Sequence, residues 1–102
     1  MTQPDDLPDL LRRVAAGPLP VGFERREVRI DAAGSLGFVE ADWAEALIVV
    51  AEGTVEVTCR KGGQRSFAAG DTIWFDGLEV ATLANPGVTT LVLVAVRRTL
   101  HL

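Results

Sequence analysis

The sequence predicts an all-β fold, either a sandwich or a small barrel. Three observations lead there. Beyond Pro20 the chain alternates short apolar runs with glycine-centred turns at close, even spacing. Val55, Val57 and Cys59 alternate with Glu56, Thr58 and Arg60, the two-residue period of a half-buried strand. The chain has 102 residues and a hydrophobic content of 48%, which suits one domain with a real core.

The single helix candidate covers residues 5–16. Leu7, Leu10, Leu11 and Val14 fall on one helical stripe, Asp5 or Asp6 can cap the start, and Gly17-Pro18 stop it. This predicts a helical extension over residues 1–20, packed outside a single β-barrel domain over residues 21–102. Within that domain Phe23 to Asp31 alternates loosely, and Ala32 to Ser35 is a turn. Leu36 to Glu40 is a short strand. Glu45 to Ala51 is nearly all apolar and so a buried strand, followed by a turn at Glu52-Gly53. The strand through Cys59 turns at Lys61 to Gln64 and returns over Arg65 to Ala68. Ile73 to Phe75, Val80 to Leu83 and Thr89 to Val96 complete the set. The last is apolar on both faces, so one face meets the core and the other needs a cover. The helix stripe or a second subunit would supply it, and a homodimer is expected over a monomer.

Composition narrows the function classes. Net charge is −4, and the basic residues occur as short pairs or at the Arg60-Lys61 hairpin tip. No nucleic-acid partner is expected, because phosphate binding needs clustered cations. Cys59 is the only cysteine, which removes an intrachain disulfide or a cysteine-rich zinc site. A lone thiol on a strand face reads as buried and inert, and it fits a reducing, cytoplasmic setting. The amino-terminal residues lack the pattern of a signal peptide, and no apolar run has membrane-spanning length, so no membrane partner is expected.

Two stretches, "LIVVAEGTVEVTC" over residues 47–59 and "AAGDTIWFDGLEVATLANPG" over residues 68–87, resemble the cupin family. The likeness runs in order over roughly residues 38–96. It implies a double-stranded β-helix, or jelly roll, with a pocket in the barrel mouth. Gly70 supplies the positive φ of the Gly-Asp turn, and Asp71 can accept from neighbouring amides. The family's metal ligands do not carry over. Its second motif would place a proline at Asp76, a glycine at Leu78 and a histidine at Ala81. Only Gly70 and Asn85 match that motif. Its first motif would place two histidines near Glu40 and Asp42 and a glutamate near Ala46, with Gly53 closing it. The one histidine is His101, outside both motifs. Members that oxidise or cleave with a metal use three histidines and a glutamate, and this chain cannot build that sphere. Members that epimerise sugars use a histidine and a tyrosine, and no tyrosine is present.

The expected function is therefore a metal-free, cofactor-free cupin-like domain that binds a small organic molecule, or a non-catalytic partner domain. Pocket candidates are Glu40, Asp42, Trp43, Ala46, Trp74, Ala81 and Leu83. Two alternatives stand beside it. Glu40, Asp42 and Glu45 would hold a hard divalent cation, or one of them would act as a general base; otherwise they lie on a solvated loop. The barrel would instead be filled with side chains and serve structure or interaction. Trp43 and Trp74 line a pocket in the first reading and pack in the core or rim in the last.

Overall fold

The computed structural model describes residues 17–99. The helix expected over residues 5–16 and His101 lie outside the described residues.

Among the described residues, eight strands and one helical turn follow in chain order: β1 Phe23–Ile30, β2 Ser35–Gly37, α1 Glu40–Trp43, β3 Ala46–Glu52, β4 Thr54–Cys59, β5 Gln64–Ala68, β6 Thr72–Ile73, β7 Val80–Ala84 and β8 Leu91–Arg98. They form two four-stranded sheets, ordered β1-β8-β3-β6 and β2-β7-β4-β5. Every pairing is antiparallel. The chain crosses between the sheets repeatedly, which is the jelly-roll pattern.

The apolar run through β3 and the one through β8 pair with each other at the centre of the first sheet. Directly paired residues share a face. The register therefore puts Ile48 beside Ala95 and Val50 beside Leu93 on the inner face, with Ile30 beside Leu91 from β1. Val55, Val57 and Leu83 answer them from the second sheet, all essentially inaccessible. On the opposite face of β8, Val92 and Val94 are also shielded, as is Val49 beside Val94. The second sheet shows Thr58, Thr82 and Glu56 on its outer face, a polar surface that solvent covers.

Two turns hold the strands in place through specific chemistry. Gly53 has φ +84°, and a Cβ there would lie 3.3 Å from the Leu91 Cα. Only glycine allows both the turn and the close passage of β8. At the Gly-Asp turn Gly70 has φ +96°. Asp71 Oδ2 accepts from the Ala68 amide at 2.8 Å, and the Gly70 amide donates to the Val50 carbonyl at 2.8 Å. This ties the turn to β3.

The Asn-Pro-Gly stretch ends β7. Asn85 is 2% exposed, and its side chain makes three hydrogen bonds to backbone. Nδ2 donates to the Ile30 carbonyl at 2.9 Å and to the Thr89 carbonyl at 2.7 Å. Oδ1 accepts from the Gly87 amide at 3.0 Å. One side chain thus joins the end of β1 to the β7–β8 connection.

Two local expectations change. The strand expected over Leu36 to Glu40 stops at Gly37, and Glu40 opens α1. The Phe38 amide donates to the Ala81 carbonyl, and the Asp42 amide donates to the Val39 carbonyl at 3.0 Å. That closes a helical turn which carries Trp43 inward. Cys59 is only half-buried, because it lies at the end of β4 next to the hairpin tip.

Candidate functional site at the barrel mouth

The inner face of the first sheet changes character along its length. On β1 the inward positions run Glu24, Arg26, Val28, Ile30, and on β8 they run Arg97, Ala95, Leu93, Leu91. The apolar halves meet in the core. The polar halves come together at one end, and a depression of about 260 Å³ opens there. Glu24, Arg25, Arg26, Asp42, Ala95 and Arg97 line it.

Below this depression the barrel is closed by aromatic rings. Trp43 is stacked on Phe38, with centroids 6.2 Å apart and planes 13° from parallel. Phe75 meets both edge-on, at 5.3 Å from Phe38 and 5.5 Å from Trp43. Offset-stacked and edge-on contacts are the favourable arrangements of ring quadrupoles, adding about 0.5–1.5 kcal/mol per pair to area burial. Trp43 is 2% exposed and Phe75 is 3% exposed. The Arg26 guanidinium carbon lies 4.8 Å from the Trp43 ring centroid, a cation–π contact.

Arg26 is further held by its Nη2, which donates to the Asp42 carbonyl at 2.7 Å. Arg97 Nε donates to Glu24 Oε1. Arg25 donates to the Gly17 carbonyl. The strand register causes the Glu24–Arg97 pair, because the two residues are direct partners across β1 and β8. Guanidinium stays charged at any ordinary pH and donates without losing its proton. The chemistry gathered here is recognition of charge and hydrogen-bond acceptors.

The expected site residues divide among three places. Asp42 lies at the mouth, with its carbonyl on Arg26. Trp43, Ala46 and Leu83 are inside the core, the last two at 1% and 0% exposure. Glu40 is exposed on α1, and Trp74 points outward at 51% exposure. Inward parity belongs to Ile73 and Phe75 instead. Ala81 is half-buried in β7. Thr82 pairs with Thr58 and Val80 pairs with Cys59, so Ala81 is the extra residue of a β-bulge. Glu45 has φ +56°, and its amide donates to Asp76 Oδ2 at 3.2 Å, which turns the chain from α1 into β3.

The donor set does not fit a metal held by histidine. Ala46 and Ala81 end in methyl groups. Among the described residues, no group of three or more His, Cys, Asp or Glu side chains is placed to hold a metal ion. Glu40, Asp42 and Glu45 form no such group.

Sequence reasoning missed Glu24, Arg26 and Arg97. The signal was present: inward parity on β1 passes from two charged residues to two apolar ones, the mark of a strand that leaves a core for an opening. It becomes readable only once β1 and β8 are known to pair.

The geometry defines a class, a small jelly-roll barrel with a closed aromatic interior and a charged open end. The fold is that of the cupin superfamily. A Cupin 2 conserved barrel domain protein from Salinispora arenicola superposes with a TM-score of 0.59 at 25% identity, over 78% of this chain and 67% of that one. The Cupin_2 domain of an XRE family transcriptional regulator from Enterobacter cloacae gives a TM-score of 0.59 at 14% identity, over 79% and 85% of the two chains. A cupin domain from Bordetella pertussis gives 0.58 at 16% identity, over 76% and 82%. No family model matches the sequence, and no curated protein matches it. Among the described residues no helix is long and apolar enough to cross a membrane.

Proposed function

We propose that this chain is a non-catalytic binding domain of the cupin fold that holds a small organic molecule at the barrel mouth. The observation that carries this reading is the depression of about 260 Å³ lined by charged side chains from β1, α1 and β8. A concave site with a few convergent polar groups is the usual form of a ligand pocket. The described lining offers arginine donors that suit binding of an acceptor-rich molecule. Cys59 as a lone thiol fits a reducing compartment such as the cytoplasm.

Native mass spectrometry on protein prepared without a histidine tag tests the reading, combined with elemental analysis. The expected result is a co-purified small molecule, or one added from a metabolite mixture, and less than stoichiometric iron, copper or nickel. About one such metal per chain would overturn the metal-free part. Arg26→Ala, a change at an exposed lining residue, should weaken binding; unchanged binding would place the ligand elsewhere.

A second reading has its own support. The stacked Trp43, Phe38 and Phe75 close the interior, so the domain also suits an interaction module with a filled barrel. Under that reading no small molecule co-purifies, and none added from a metabolite mixture binds at the mouth.

A further inference from the structure

We propose that the molecule held at the mouth carries a carboxylate, which takes the place of Glu24 on Arg97 beside the guanidinium of Arg26. This rests on the reading of the mouth as a ligand site. Three features point to it.

The first is placement. Glu24 and Arg97 are direct partners, and Arg26 is paired with Ala95 on the next inward rung. Ala95, which lines the depression together with Arg26 and Arg97, contributes only a methyl group. The space left is about nine water volumes, room for a molecule of roughly nine heavy atoms.

The second is the state of the donors. Arg26 uses one N–H on the Asp42 carbonyl, and its guanidinium carbon lies 4.8 Å from the Trp43 ring centroid. Arg97 uses its Nε on Glu24. The remaining N–H groups of both have no hydrogen-bond partner among the described residues. Guanidinium matches carboxylate geometry through paired N–H donors, and such charge-assisted bonds are about twice as strong as neutral ones. Arg26 is already ordered, so a ligand would not have to bear the entropy of fixing it.

The third is the weakness of the internal pair. The Arg97 and Glu24 side chains are 42% and 47% exposed. An exposed ion pair contributes only about 0–1 kcal/mol, so an incoming carboxylate can displace Glu24. Of the two inward arginines at the mouth, Arg97 is ion-paired with Glu24, and Arg26 has no ion pair among the described residues. The Arg26 charge therefore favours an anion at the mouth.

The test uses the full chain, with benzoate, benzamide and benzylamine as size-matched probes, titrated by amide NMR at constant ionic strength. Benzoate is expected to shift the amides of Glu24, Arg26, Asp42 and Arg97. The two other probes are expected to bind at least tenfold more weakly. Arg97→Gln and Arg26→Lys should each weaken benzoate by about tenfold or more, the loss of one charge-assisted hydrogen bond. Glu24→Gln should strengthen it about threefold or more, because the internal competitor for Arg97 is gone. A purely structural role for the Glu24–Arg97 pair would not produce that gain. The substituted side chains are partly exposed at positions 24 and 97, and native amide dispersion verifies the fold of each variant. Benzamide or benzylamine binding as well as benzoate would overturn the carboxylate assignment and leave the mouth as a ligand site. No probe shifting any mouth amide, with no co-purified molecule either, would overturn both. Unchanged benzoate affinity in Arg97→Gln would refute the role of the arginine pair.

Discussion

Replacing Asn85 by alanine isolates a single side chain that joins three backbone segments. The change removes two hydrogen bonds to carbonyls, of Ile30 and Thr89, and one from the Gly87 amide. The bond to Ile30 is fully buried, and an orphaned buried polar group costs about 1–3 kcal/mol. The other two are part-buried, so water can partly replace the side chain there. Counting about 0.5–1.5 kcal/mol for each of those gives a total loss of about 2–6 kcal/mol. For a domain whose whole stability is about 5–15 kcal/mol, that is a large fraction. Each kcal/mol lowers the melting temperature by about 4–8 °C in a domain near this size. The assay is urea and thermal unfolding followed by tryptophan fluorescence. Asn85→Asp supplies the control. It keeps the acceptor for Gly87 but turns carboxylate oxygens toward two carbonyls, so it should destabilise at least as much as alanine. A loss below about 1 kcal/mol for Asn85→Ala, or a milder effect of Asn85→Asp, would refute the clamp.

Three further outcomes follow from the same geometry. Trp43→Phe removes the shielded indole and leaves Trp74, which is 51% exposed, so native-state emission should move to the red and lose intensity; a spectrum unchanged from the native protein would contradict the aromatic plug. Gly53→Ala meets both a positive φ and the Leu91 Cα at 3.3 Å, and should lose more than the ~1 kcal/mol of the left-handed conformation alone, read by urea midpoint; a neutral effect would show that β8 does not pass so close. Size-exclusion chromatography with light scattering should report twice the chain mass of 10.9 kDa, in keeping with Phe23 and Leu47, which remain exposed on the outer face of the first sheet; a monomer at all concentrations would remove the homodimer.

How much of this was legible beforehand can be argued residue by residue. The strands of the core were readable, because a period of two and runs such as Ala46 to Val50 are local properties of the chain. Gly53, Gly70 and Asp71 announced their turns for the same reason: left-handed backbone and Asx bonding involve neighbours in sequence. That the chain holds a single histidine, His101, was a matter of composition. Tertiary structure decided which way Trp43 and Trp74 point. It placed the first on a helical turn that enters the core and the second on a two-residue strand that ends before it. It also decided the mouth. Glu24 and Arg97 are far apart in the chain and become neighbours only through the pairing of β1 with β8. Local periodicity specifies which face a residue occupies, because that depends on backbone geometry within a few residues. Which charges meet at the open end depends on strand order, which is set by how two apolar sheets find their lowest exposed area, and no short stretch of sequence carries that information.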